Sequence, residues 1–238
     1  MKNALIFLIL FFVLILFSCN KDDSSNKYPG TENQACNGLT TITYEGKTYN
    51  TIKIGTQCWM RENLNVGAFV YSTPTTSVHS SATDNGIIEK YCYENDENNC
   101  DKFGALYDWD ELMGYTRTDN SRGICPEGWH VPSDSDYFKL ECNIDTSFHN
   151  INLTGWRGHD AGLNLQNRYT SGFDALMGGM RDPHGSFMLK NEAAYFWSSS
   201  ESNVFHVYYR NLYTIYQGVY RNAFTSKQSG LSVRCLKD

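Results

Sequence analysis

A chain whose distant parts are joined covalently can adopt far fewer folds than an open one. The stretch GICPEGWHVPSDSDYFKL, Gly123 to Leu140, signals such a join. Pro126 and Gly128 force a tight turn, Trp129 and Val131 offer apolar surface, and Pro132 ends any extended segment. A helix start follows. Ser133 can cap it, Asp136 can reach back three residues, and Tyr137 and Leu140 recur on one helical face. Cys125 opens the unit and needs a partner. In SGLSVRCLKD, Leu231, Val233 and Cys235 alternate as the inward face of a final strand, which makes Cys235 the candidate.

Eight cysteines matter in this way only in an oxidising compartment, and the first residues point to one. Lys2 precedes an apolar run from Ala4 to Phe17, too short for a membrane span, which needs about 20 residues, but suited to a secretory signal. Leu16-Phe17-Ser18-Cys19 resembles a bacterial lipobox, which implies cleavage before Cys19 and acylation of its thiol and new amine. The polar segment Asn20 to Asn26 then reads as a flexible tether. The expected layout is a signal peptide at 1–18, a lipidated tether at 19–35 and one domain at 36–238.

With Cys19 lipidated, seven thiols remain. Cys36 and Cys58 flank a β-hairpin, Cys92 and Cys100 flank the acidic loop YENDENN, and Cys125 joins Cys235. That leaves Cys142, either buried as a small hydrophobe or exchanging with a neighbouring disulfide. Loss of residues 1–18 removes one base, Lys2, and no acid, so 19 bases face 26 acids and the net charge becomes −7. Such a surface repels polyanions, and no nucleic-acid partner is expected.

Along the chain, Thr40 to Leu64 reads as two strands around a Glu45-Gly46-Lys47 turn, with Ile52 and Ile54 on one face. Trp59 reads as core and Arg61 as surface. Gly67 to Gly86 reads as a long loop. The acids Glu94, Asp96, Glu97 and Asp101 raise a calcium alternative, but their spacing is not that of an EF-hand, and a solvated acidic loop is the reading taken. Gly104 to Gly114 places Ala105, Trp109 and Leu112 on one face of a short helix, with Asp108 and Glu111 on its other, solvated side. In TGWRGHDAGLNLQ, Thr154 to Gln166, glycines suit a turn and a close approach. His159 and His184 read as loop histidines rather than ligands. From Tyr195 the sequence reads as an antiparallel meander. Its Tyr208, Tyr209, Arg210, Tyr213, Tyr216, Tyr220 and Arg221 exceed what one sheet face can bury, so some must be exposed; they either simply cover the sheet or contact a ligand, and they form the candidate ligand-binding set.

CPEGWHVPSDSDYFKL, followed by FWSSSES and LSVRC and preceded by CWMRENL, resembles the domain named for its many paralogues in Fibrobacter succinogenes. WRGHDAGLNL and GFDALMGGMR resemble two further blocks of it, with Met177 where proline is usual. The resemblance implies secreted and surface proteins of the Bacteroidetes and Fibrobacteres. It also implies an α+β, C-type-lectin-like fold, here with two short helices, an antiparallel C-terminal sheet and disulfide staples. The acidic run after Cys19 resembles the signal that sends such lipoproteins to the outer face of the outer membrane. The EPN, QPD and WND triplets with which C-type lectins hold calcium and sugar are missing. So is the cysteine pair of the related formylglycine-generating fold.

No G-x-S-x-G, HExxH, Walker or GxGxxG motif occurs, so no catalytic residue, metal or cofactor is assigned. The reading is a surface lipoprotein, membrane-tethered at Cys19, whose domain recognises an extracellular protein or glycan. The alternatives are a polysaccharide-acting enzyme using acids such as Asp108 and Glu111, or a passive envelope component.

Overall fold

A computed structural model of the chain describes residues 36–147, 150–166 and 171–238. The segments expected to be signal peptide and tether, with the expected lipidation site Cys19, lie outside the described residues. The N-terminal hairpin forms as its turn chemistry requires: β1 (Thr41–Tyr44) and β2 (Lys47–Ile54) pair around Glu45 and Gly46. Both turn residues have positive φ, 47° and 73°, the signature of a tight hairpin turn. A second reversal leads into β3 (Gln57–Met60), whose four residues are all buried.

The long loop after Gly67 is crossed by a short parallel pair, β4 (Ala68–Phe69) and β5 (Glu89–Lys90). The acidic loop is not a loop throughout. A 3-10 turn at Tyr93–Asn95 leads into helix α1 (Glu97–Phe103), capped by the Asp96 side chain on the Asn98 amide. Conversely, the helix expected over Gly104 to Gly114 shrinks to one turn, α2 (Trp109–Leu112). Leu106 and Tyr107 are extended because their amides are satisfied across the fold, by the carbonyls of Tyr91 and Leu231 at 3.0 Å each. Ala105, Trp109 and Leu112 are buried as their pattern demands.

Next come β6 (Trp129–His130) and α3 (Asp134–Ile144). The Ser133/Asp136 capping box is present with both of its hydrogen bonds. Then follow β7 (Gly155–Arg157), α4 (Ala161–Leu165), the small hairpin of β8 (Met180–Arg181) and β9 (Phe187–Met188), the meander β10 (Ala193–Glu201), β11 (His206–Tyr213) and β12 (Val219–Ser226), and finally β13 (Leu236–Lys237). Four α-helices, rather than two, therefore occur among the described residues.

Two sheets organise the molecule. One has the order β1-β2-β3-β13-β6, so the last strand lies between the N-terminal hairpin and the strand at the central turn; the other is β10-β11-β12-β7. Leu231, Val233 and Cys235 are fully buried, but so are Ser232 and Arg234, at 3% and 0% exposed, and the final strand is only Leu236–Lys237, so these residues lie in a segment enclosed on all sides rather than on one face of a strand. Disulfides join Cys36 to Cys58, Cys92 to Cys100 and Cys125 to Cys235, with Cα–Cα distances of 5.0, 5.1 and 5.8 Å. Cys142 departs from expectation. It is half-buried near the end of α3, at the edge of the core, rather than fully buried.

The second sheet has apolar packing on both faces. Ala194, Phe196, Leu212 and Val219 pack with Tyr137 and Leu140 of α3 and Ala161 and Leu165 of α4. On the opposite face, Trp197, Val207 and Tyr209 meet Tyr107 and Trp109. The indole N–H groups of Trp197 and Trp109 donate to the carbonyls of Tyr107 and Ser198 at 2.7 and 2.8 Å. These contacts cover only part of that second face.

Candidate functional site

The uncovered part carries the candidate site. Strand pairing sets Tyr195 opposite Asn211, Asn211 opposite Tyr220, and Tyr220 opposite Trp156. One cross-strand row thus runs over all four strands, with side chains on a common face. Tyr213, two residues beyond Asn211, and Tyr216 in the following turn raise one wall. These six residues line an open groove of about 540 Å³, with Glu192 at its edge. Trp156 and Tyr216 are 41% and 48% exposed, and their rings approach to 4.3 Å at an interplanar angle of 31°. Tyr220 meets Trp156 edge-on at 5.1 Å. The hydroxyls of Tyr195 and Tyr213 bond to each other at 2.8 Å. Burial and that bond push the Tyr195 hydroxyl well above the ordinary tyrosine range, so it stays protonated.

Strand periodicity divides the seven residues singled out in the sequence between two faces. Tyr209, Tyr213, Tyr216 and Tyr220 line the groove. Tyr208, Arg210 and Arg221 do not. Arg210 and Arg221 are 2% and 3% exposed and face α3, where Asp134 accepts from both, at 2.7 Å from Arg210 and 2.6 Å from Arg221. Arg210 also bonds Glu141, which in turn pairs with Arg157. Arg221 stacks 4.0 Å from the centre of the Tyr208 ring. The reason is electrostatic. A buried guanidinium is tolerated only with carboxylate and carbonyl partners, and α3 supplies two acids on its inward side. Burial favours protonation of Asp134, yet the two arginines outweigh it and hold its carboxyl below the usual range. Burial would also lower Arg210, but Glu141 and Asp134 raise it. These two arginines therefore hold the sheet to the helix and are out of a ligand's reach.

Asp108 and Glu111 are not solvated helix acids either, being 3% and 4% exposed. Asp108 accepts hydrogen bonds from the Ser80 and Tyr91 hydroxyls and lies 3.8 Å from Arg181. Burial pushes its carboxyl up to about 7 against those stabilising contacts. Glu111 accepts from the Glu89 amide at 3.0 Å and the Tyr115 hydroxyl at 2.9 Å, and burial raises it as well. Neither lines the groove.

The acids of the former loop disperse. Glu94 pairs with Lys190, Asp101 with Lys47, and Asp96 caps α1. No cluster of three or more potential metal ligands occurs among the described residues. Trp59 is fully buried, and Arg61 bonds the Gly172 carbonyl and the Asp174 carboxylate.

Trp156, Asn211, Tyr195 and Glu192 belong to the site although sequence reading passed over them. Tyr209, Asn211 and Tyr213 alternate with Tyr208, Arg210 and Leu212, so period two alone separates a groove face from a helix face. For Trp156 the available signal is an indole flanked by glycine in an otherwise polar stretch. Its pairing with a strand more than 60 residues away is not a local property.

No curated protein and no solved structure matches this chain. The family model of the Fibrobacter succinogenes major domain matches residues 52–237, a span that starts within β2 and holds the whole second sheet and every residue of the groove. The chain therefore belongs to the Fibrobacter succinogenes major domain family.

Proposed function

We propose that this protein is a non-catalytic recognition module, tethered to the outer membrane by acylated Cys19 and facing the cell exterior, that binds an extracellular protein or glycan. The observation that carries the reading is the aromatic groove. Large, rigid rings with polar tips, half-exposed and grouped on one sheet face, are what recognition surfaces use. Exposed aromatic area of this kind has a cost in water that a purely structural sheet face avoids. Two-carboxylate hydrolysis would need a facing pair of acids, whereas Glu192 is the one carboxylate among the residues lining the groove. The pairing of β13 with β3 brings the two ends of the described chain together. With the disulfide framework, it supports a C-type-lectin-like architecture.

The test is capture on arrays of glycans and surface proteins, comparing the full chain with a W156A/Y216A/Y220A variant of unchanged melting temperature. Loss of capture supports the groove, and undiminished capture overturns it. For the anchor, mass spectrometry of the mature N-terminus should find Cys19 as a diacylglyceryl thioether with an acylated amine. A Cys19 thiol found unmodified or in a disulfide would overturn the tether.

A further inference from the structure

The groove contains a group that ring stacking leaves unexplained. Asn211 is 4% exposed and lines the groove, yet its buried side-chain oxygen has no hydrogen-bond partner within the protein. Buried amide groups are ordinarily satisfied, because leaving one unpaired is a standing cost. Turned the other way, the amide would present an unpaired donor at the same point. That point is enclosed in the conformation described, but the side-chain amide torsion is soft, so rotation about it brings the unpaired end to the groove. Asn211 sits in the cross-strand row between Tyr195 and Tyr220, with Trp156 beyond. Close by, the Tyr195 and Tyr213 hydroxyls share one hydrogen between them, which leaves the second hydrogen available to a ligand oxygen.

Resting on the recognition reading above, the geometry points to a neutral hexopyranose chain as the ligand, stacked on Trp156 and Tyr216 with a ring hydroxyl bonded to Asn211. A pyranose offers an apolar C–H face for the aromatic rings and a belt of hydroxyls, each both donor and acceptor, for Asn211 and the tyrosine hydroxyls. An apolar peptide side chain would cover the rings and leave Asn211 unpaired. Charge selects among sugars. Glu192 at the groove and the excess of acids, 26 against 20 bases, oppose uronic and sialic acids. The volume of about 540 Å³ falls within the roughly 300–1,000 Å³ usual for small-ligand sites.

The fold supplies its own reporter. Of the five tryptophans, Trp59, Trp109, Trp129 and Trp197 are at most 3% exposed, and Trp156 is 41% exposed. The full chain is titrated with cellohexaose, laminarihexaose, mannohexaose and hexagalacturonate, following tryptophan emission and, in parallel, heat of binding. At least one neutral hexaose should shift the emission saturably, and hexagalacturonate should not. W156A should abolish the emission change and weaken calorimetric binding about tenfold or more. N211L, with its melting temperature unchanged, should weaken it about five- to tenfold, the size of one lost hydrogen bond. Y216A, which lies outside every strand, repeats the test without altering the sheet.

The sugar assignment is overturned if no neutral hexaose binds, if hexagalacturonate binds as well as they do, or if N211L binds like the parent protein. Capture of a protein through the groove would also overturn it while leaving the recognition reading intact. That broader reading fails only if the aromatic variants leave every captured ligand unaffected.

Discussion

The side chains that matter most here are buried charges, and their partners explain both their positions and their consequences. Glu141 is 1% exposed and answers Arg157 and Arg210 together. Removing one partner of a buried ion pair leaves the other desolvated without compensation. E141L should therefore lower unfolding free energy by about 3–5 kcal/mol in urea titrations, and a loss below about 1 kcal/mol would contradict this placement. Asp108 works in the opposite sense. Burial raises its folded pKa to about 7, above an unfolded value of about 4, so the folded protein binds that proton more tightly. Asp108 thus makes stability fall as pH rises from about 4 to 7, by up to roughly 4 kcal/mol. D108N should flatten that slope, and Arg181 would keep the carbonyls of Asp182, Gln228 and His79 as acceptors. Unfolding at pH 5 and pH 8 measures it; equal slopes in the two proteins would refute the assignment. None of this was legible from residue type alone. Arg210 and Arg221 resemble exposed recognition residues until Asp134 and Glu141, seven positions apart on the apolar side of α3, are seen to face them.

Elements with strong local signals formed as read. The Glu45-Gly46 turn, the Ser133 capping box and the β10–β12 meander each carry their own instructions in backbone chemistry or period. The failures occurred where tertiary partners compete with local pattern. Tyr107 gives up helix for a bridge to Leu231, and the acidic stretch becomes α1 once Asp96 caps it. The groove wall depends on one such tertiary contact, between α4 and the turn joining β11 to β12. Gly162 packs so closely there that an added Cβ would lie 2.0 Å from the Gly218 carbonyl oxygen. The Leu163 amide also donates to the Gln217 carbonyl at 3.0 Å. G162A must push α4 and the turn apart, at a cost of about 1–3 kcal/mol, and displace neighbouring Tyr216. Thermal denaturation should show the loss and ligand capture should weaken with it. An unchanged melting temperature would mean that the contact yields freely.

At the scale of the whole molecule, the join read from Cys125 and Cys235 proves to be the tie between the central turn and the last strand, across 110 residues. Closing so long a loop restricts the unfolded chain most. C125S/C235S should lose about 2–5 kcal/mol, more than C92S/C100S, whose loop spans only 8 residues; the reverse order in denaturant titration would contradict the entropic account. The tight turn opened by Cys125 and the apolar residues leading to Cys235 made this tie legible, and aromatic content marked the second sheet as a surface of interest. The groove itself was not legible, because Trp156 reaches Tyr216 and Tyr220 only through the pairing of β7 with β12. That grouping is the central claim, and limited oxidation with N-bromosuccinimide tests it most directly. With four indoles at most 3% exposed and Trp156 at 41%, the first equivalent oxidised should map to Trp156 and abolish ligand capture while near-ultraviolet circular dichroism stays native. Capture that survives that oxidation, or another tryptophan reacting first, would contradict the account.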